Sequence, residues 1–184
     1  MTGKSGQTTA YKIALASMMA ALALIFSYIE ALIPFSIGIP GIKLGIANLV
    51  ILVSLYILGF GYTLAINVIR ILVAGLLFNG LFGALYSLAG GLLSLAVMYL
   101  LKKTGLFSTV GISMAGGVAH NLGQLLTAAF LVSTIKLFFY FPVLLFSGII
   151  SGILIGIITH LILKKLPASL YAATGRAKNS KKPD

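Results

Sequence analysis

An arginine near the middle of an apolar run restricts this chain more than any other feature. Phe60 to Asn79 is a stretch of about 20 residues, the length that spans a bilayer, and Arg70 lies near its centre. A charge at that depth is costly, so it must face protein or a wet cavity rather than lipid. Thr63, Asn67, Arg70 and Ala74 recur at helical spacing and share one face. Two readings of Arg70 stand side by side. In one it is structural, snorkelling or tying neighbouring helix ends through their carbonyls. In the other it binds an anion in a cavity.

The rest of the chain supports a membrane setting. Of its 184 residues, 60% are hydrophobic and 8% are charged. A soluble domain of this size has no use for so much apolar residue, so the expected class is an all-α integral membrane protein. There is no cysteine, which removes disulfides and thiolate metal sites. The net charge of +11 could suggest nucleic acid. The lysines cluster between and after apolar runs, however, which is the pattern of cytoplasmic flanks, and no nucleic-acid partner is expected.

Six transmembrane helices are expected within residues 11–166, after a short cytoplasmic segment, 1–10, and before a basic cytoplasmic tail, 167–184, expected to be disordered. The first runs from about Tyr11 to Ile33. It is rich in alanine, and Ala16 and Ala20 stand four apart where another helix could pack closely. Glu30 closes it and, with Asp184, makes up the acidic content of the chain. The apolar but proline- and glycine-rich loop from Pro34 to Lys43 reads as a cap or re-entrant segment. The second helix, about Leu44 to Leu58, carries Asn48 and is short for a full crossing. A turn at Gly59-Phe60-Gly61 pairs it with the third helix as an antiparallel hairpin.

The fourth helix, about Leu81 to Leu101, carries Tyr86 and the pair Gly90-Gly91. The fifth, about Gly111 to Val132, holds the densest polar patch, with His120, Asn121 and Gln124 beside Gly116-Gly117. Each of those polar groups must find a partner in a poorly solvated interior. The sixth, about Pro142 to Leu163, repeats glycine at 148, 152 and 156, which suits close internal packing. Phe138 to Phe141 reads as an interfacial aromatic belt.

With both termini inside, most lysines are cytoplasmic and Lys43 and Lys136 fall in outer loops. Helix direction then brings Glu30, Lys43, Asn48, Tyr86 and Gln124 into the outer half of the membrane, with Asn67, Arg70, His120 and Asn121 completing the candidate ligand-binding set. Lys43 and Arg70 against Glu30 leave a surplus of positive charge, so the expected ligand pairs an anionic group with an apolar or aromatic part.

The stretch IPGIKLGIANLVILVSLYILG (Ile39 to Gly59), with NVIR (Asn67 to Arg70) and GGVAHNLGQL (Gly116 to Leu125), resembles the Gx transporter family, also labelled heptaprenyl diphosphate synthase component I. The resemblance covers about Tyr11 to Leu166. More distantly, six helices with an alanine-patterned first helix resemble the substrate-binding S components of energy-coupling-factor transporters. That likeness implies docking through Ala16 and Ala20 on a membrane coupling subunit served by ATPases. It implies a substrate site beneath the Pro34 to Lys43 lid, in a bacterial cytoplasmic membrane. The family is also associated with flavin- and quinone-linked electron-transfer gene sets.

The synthase label conflicts with the residues. Prenyl elongation uses Mg²⁺ held by clustered carboxylates, usually in two aspartate-rich motifs. This chain has one aspartate, Asp184. No P-loop, dinucleotide glycine fingerprint or Ser-His-Asp set is present, so no catalytic residue, metal or cofactor is expected. Three functions stay open: a substrate-binding transport subunit, a non-catalytic membrane subunit of a prenyl or quinone pathway that holds a prenyl-type ligand, and a membrane anchor in a redox assembly.

Overall fold

A computed structural model describes residues 3–32 and 45–174. The expected lid, Lys43 and the basic residues beyond 174 lie outside the described residues. Those described form helices α1 (Gly3–Leu32), α2 (Ile46–Ile57), α3 (Phe60–Ala74), α4 (Gly80–Thr104), α5 (Thr109–Val132), α6 (Phe141–Lys165) and α7 (Ala168–Ala173). A π turn, Gly75–Asn79, joins α3 to α4, and a 3₁₀ segment, Ile135–Tyr140, precedes α6. Among the described residues, four helical stretches are long and apolar enough to cross a membrane: Thr8–Leu32, Phe60–Phe78, Gly80–Thr104 and Ile135–Lys165. The fold is therefore all-α and of membrane type.

The bundle is built around a short helix, α2. At 12 residues it is about 18 Å long, well under the hydrocarbon thickness of about 30 Å. It is apolar round most of its circumference, Asn48 and Ser54 aside, as suits a helix enclosed by neighbours rather than one buried along a single stripe. Ala47, Val50, Ile51, Leu52, Leu55 and Ile57 are buried, with α1, α3 and α6 packed about them. In lipid the apolar area itself contributes little, because lipid tails are as apolar as leucine. Packing and the helix ends must then hold α2 in place.

Both ends are held by charge. The Ile46 N–H at the N-terminus donates to Glu30 Oε1 at 2.8 Å. Near the C-terminus, Lys102 Nζ donates to the Leu55 carbonyl at 2.6 Å and lies 4.4 Å from the centre of the Tyr56 ring. A carboxylate at the start and an ammonium at the end both complement the helix dipole. Lys102→Met is therefore expected to lower stability by about 1–2 kcal/mol, read as a fall in the thermal unfolding midpoint of the purified protein. An unchanged midpoint would reduce Lys102 to a snorkelling surface charge.

The α2–α3 hairpin forms as the sequence suggested, with Phe60 already in α3. Gly59 has φ 85°, a left-handed-side conformation that glycine adopts without strain. Its carbonyl accepts from Thr63 Oγ1 at 2.7 Å.

Helix α5 lies between α4 and α6, its two closest neighbours. Glycine makes this approach possible. A Cβ on Gly148 would stand 2.9 Å from the Gly117 carbonyl carbon, and one on Gly152 would stand 2.6 Å from Met114 Cα. One on Gly123 would meet the Ala89 carbonyl oxygen at 2.9 Å. The repeat at Gly148, Gly152 and Gly156 thus serves packing within the chain. Enclosure on two sides is also what lets α5 carry its polar patch.

The tail departs from expectation at its start. After Pro167 the chain forms α7, which packs on α1. Tyr171 is buried and its hydroxyl donates to the Leu163 carbonyl at 3.4 Å, and Leu170 packs on the core. Tyr171 and Leu170 supply apolar anchors that the polar, basic composition of 167–184 obscured.

Candidate functional site

Three of the expected residues meet directly. Arg70 Nη2 donates to Asn67 Oδ1 at 2.9 Å and to Asn48 Oδ1 at 3.4 Å. Asn67 Nδ2 in turn donates to the Gly91 carbonyl at 3.0 Å. The chain of bonds thus crosses from α2 through α3 to α4. Asn67 lies one turn before Arg70 on the same α3 face, which is why the two side chains can bond. Gly91 keeps the approach open: a Cβ there would meet Asn67 Nδ2 at 3.1 Å and Ile71 Cδ1 at 2.5 Å.

Arg70 is 8% exposed and Asn67 is 1% exposed. Within this enclosure Arg70 Nε is buried and has no hydrogen-bond partner. A buried donor left unpaired costs about 1–3 kcal/mol, a cost that an incoming acceptor would remove. Glu30 is near enough for its charge to act on Arg70. No ion pair joins the two among the described residues, and the Glu30 carboxylate accepts instead from the Ile46 N–H at the start of α2.

Asn48 also borders a second feature. A cavity of ≈ 20 Å³ lies between α2, α4, α5 and α6, lined by Asn48, Ser94, Ser113, Ser151, Gly116 and Gly152. That is room for one water-sized group, with four side-chain polar partners around it. The serines were missed at the level of sequence. A signal did exist: each is a small polar residue in a helix whose close-packing glycines are nearby, but single serines are common in membrane helices.

The other expected residues are distributed around this core. His120 and Gln124 flank Gly90 on the α4–α5 seam, where a Cβ on Gly90 would meet the His120 carbonyl at 2.7 Å and Gln124 Cγ at 2.9 Å. They adjoin Gly91, beside the arginine network. Asn121 turns toward α6 and donates to the Leu144 carbonyl at 2.7 Å. Tyr86 is half-buried on α4, one turn before Gly90. Lys43 lies outside the described residues.

Ala16 and Ala20, the expected docking pair, lie toward the bundle. Both are half-buried and pack against the core. The small residues that α1 presents outward are Ala10, Ala14, Ser17 and Ala21. Ala23, fully buried, fixes which face turns inward, and Ala16 and Ala20 share that face.

An all-helical bundle with several membrane-length helices and a buried arginine–amide network defines a membrane protein with a polar core. The chain belongs to the heptaprenyl diphosphate synthase component I family, whose model matches residues 19–162. No curated protein matches the chain. No solved structure matches it either. A prenyl-elongating centre of the kind built on two aspartate-rich motifs would need clustered carboxylates to hold its metal ions. With Glu30 bonded to Ile46 N–H and Asp184 as the other acid, the residues of this chain do not fit such a centre.

Proposed function

We propose that this protein is a membrane-embedded substrate-binding subunit of a transport complex. It takes a ligand with an anionic head and an apolar or aromatic body. The observation that carries this reading is Arg70, enclosed by the bundle yet left with an unpartnered Nε. In low dielectric an ion interaction is far stronger than in water, and a guanidinium suits bidentate capture of carboxylate or phosphate. A second reading draws on the family description: a non-catalytic membrane subunit that holds a prenyl diphosphate for a soluble synthase. Both readings use one site chemistry, and the partner separates them. Copurification of an ATPase pair supports the first. Copurification of a soluble prenyl synthase supports the second and removes the first. Native mass spectrometry of the gently purified protein should find a retained anionic small molecule or lipid. Its absence from both wild type and partner-bound material would overturn the site.

The proposed topology has six spans with both termini cytoplasmic and the ligand entering from the outer side, on the lysine asymmetry. The chain has no cysteine, so single-cysteine labelling is clean. Lys136→Cys should react with an impermeant reagent in whole cells and Lys103→Cys should not. Both positions are exposed. The opposite pattern would invert the topology.

Docking of a coupling subunit through α1 is proposed along its outward small residues. Ala14→Leu and Ala21→Leu should abolish the complex while the isolated protein keeps its unfolding midpoint. Ala20→Leu should disturb the bundle itself, because Ala20 packs on the core. Normal partner yield with Ala14→Leu and Ala21→Leu combined would remove the docking role.

A further inference from the structure

Asn48 joins two features that the network alone does not explain: a long bond to Arg70 and a small polar cavity that it also lines. The geometry points to Asn48 as a displaceable stand-in acceptor on Arg70, which a ligand oxyanion replaces as it takes the Nε–Nη2 edge of the guanidinium. This rests on the anion-site reading above and deepens it by assigning the exchange step.

Nε and Nη2 lie on one edge of a guanidinium, the edge that grips a carboxylate or phosphate with two parallel bonds. In this structure that edge is half used. Nε has no partner, while Nη2 is shared between Asn67 at 2.9 Å and Asn48 at 3.4 Å. The two asparagines are not equivalent. Asn67 is buried, makes the shorter bond and is tied on its other side to the Gly91 carbonyl. Asn48 is half-buried, and its bond at 3.4 Å is longer than the usual N–H to oxygen range. An oxyanion that bridges Nε and Nη2 would therefore displace Asn48 and leave Asn67 in place.

The displaced amide has somewhere to go. Asn48 lines the ≈ 20 Å³ cavity together with Ser94, Ser113 and Ser151. Three hydroxyls can accept or donate to its amide, so releasing Arg70 need not strand a buried polar group. The ligand class is a carboxylate or a phosphate, and the test must tell them apart.

The full-length protein in nanodiscs is titrated with inorganic diphosphate and, separately, with decanoate, and the shift of the thermal unfolding midpoint gives an apparent affinity. Wild type should respond to one probe, and Arg70→Gln to neither. Asn48→Ala should bind the active probe about three- to ten-fold tighter, because no intramolecular hydrogen bond must be broken first. Asn48→Asp should raise the midpoint without probe and refuse the probe, since its carboxylate holds the guanidinium permanently. If Asn48→Ala fails to fold, Asn48→Ser reads the same quantity. Equal or weaker binding by Asn48→Ala, or unaltered binding by Asn48→Asp, would overturn the exchange role while an Arg70-dependent wild-type response keeps the anion site. No wild-type response to either probe would remove both.

Discussion

Arg70→Gln is expected to weaken ligand retention by about 1.5–3 kcal/mol, the range for a hydrogen bond to a charged group, or on the order of 10- to 100-fold. The fold should survive. A glutamine amide can still donate to Asn67 Oδ1, so the network loses its charge without leaving that oxygen bare, and the fold cost should stay near the lower end of about 1–3 kcal/mol. Arg70→Lys should also fail to hold ligand, because an ammonium lacks the planar fork. The competing account makes Arg70 the internal counter-ion of Glu30. It expects Glu30→Gln and Arg70→Gln together to restore what either alone removes. The structure argues for additivity instead: Glu30 bonds the Ile46 N–H and Arg70 bonds two asparagines. Native mass spectrometry for retention and thermal unfolding for stability give both quantities on the same preparations. Full retention in a well-folded Arg70→Gln protein would end the anion-site reading. Restoration in the double variant would return Glu30 and Arg70 to a structural pair.

Gly152→Val should be among the most damaging single changes in the chain. The new side chain would meet backbone on α5, with Met114 Cα 2.6 Å and the Ser113 carbonyl oxygen 2.9 Å from its Cβ. Backbone cannot rotate aside as a flexible side chain can, so α6 must move off α5. Overpacking costs typically about 1–3 kcal/mol, and this geometry belongs at or above the upper end. The displacement would also open the cavity that Gly152 and Ser113 line. Gly61→Ala is the matched control. Nothing lies within 4 Å of its Cβ position, and alanine is the better helix former by about 1 kcal/mol, so that variant should be neutral or more stable. Equal midpoints for Gly152→Val and wild type would mean that α5 and α6 are not in backbone contact.

Several parts of this architecture are readable from residues alone, for local reasons. Gly59 ends α2 and opens α3 because the required backbone conformation is available to glycine without strain, and the sequence places glycine there. Asn67 and Arg70 share a face because helical geometry puts positions three apart side by side. The glycine repeat on α6 announces close packing because small residues are what permit it. The shortness of α2 was also visible, as a run too brief to span.

Other parts were hidden by the solvent. In water the apolar stripe of a helix marks its inward face. In lipid the outward face is apolar as well, so periodicity does not say which way α1 turns. Only the packing of Ala16, Ala20 and Ala23 on the core shows which face of α1 turns inward. Lys102 sits among the basic residues that flank an apolar run, and its bond to the Leu55 carbonyl spans a separation no local pattern encodes.

Residue order alone commits the chain to a membrane-type helical fold with a buried cation, because an apolar run has few uses and an arginine within it has fewer. The tertiary structure decided which polar groups that cation meets. It chose Asn48 and Asn67 over Glu30, set His120 and Gln124 against Gly90, and gathered Ser94, Ser113 and Ser151 from three helices around one small cavity. Those choices depend on helix rotation and on glycine-limited approach distances, which are properties of the assembled bundle rather than of any one segment.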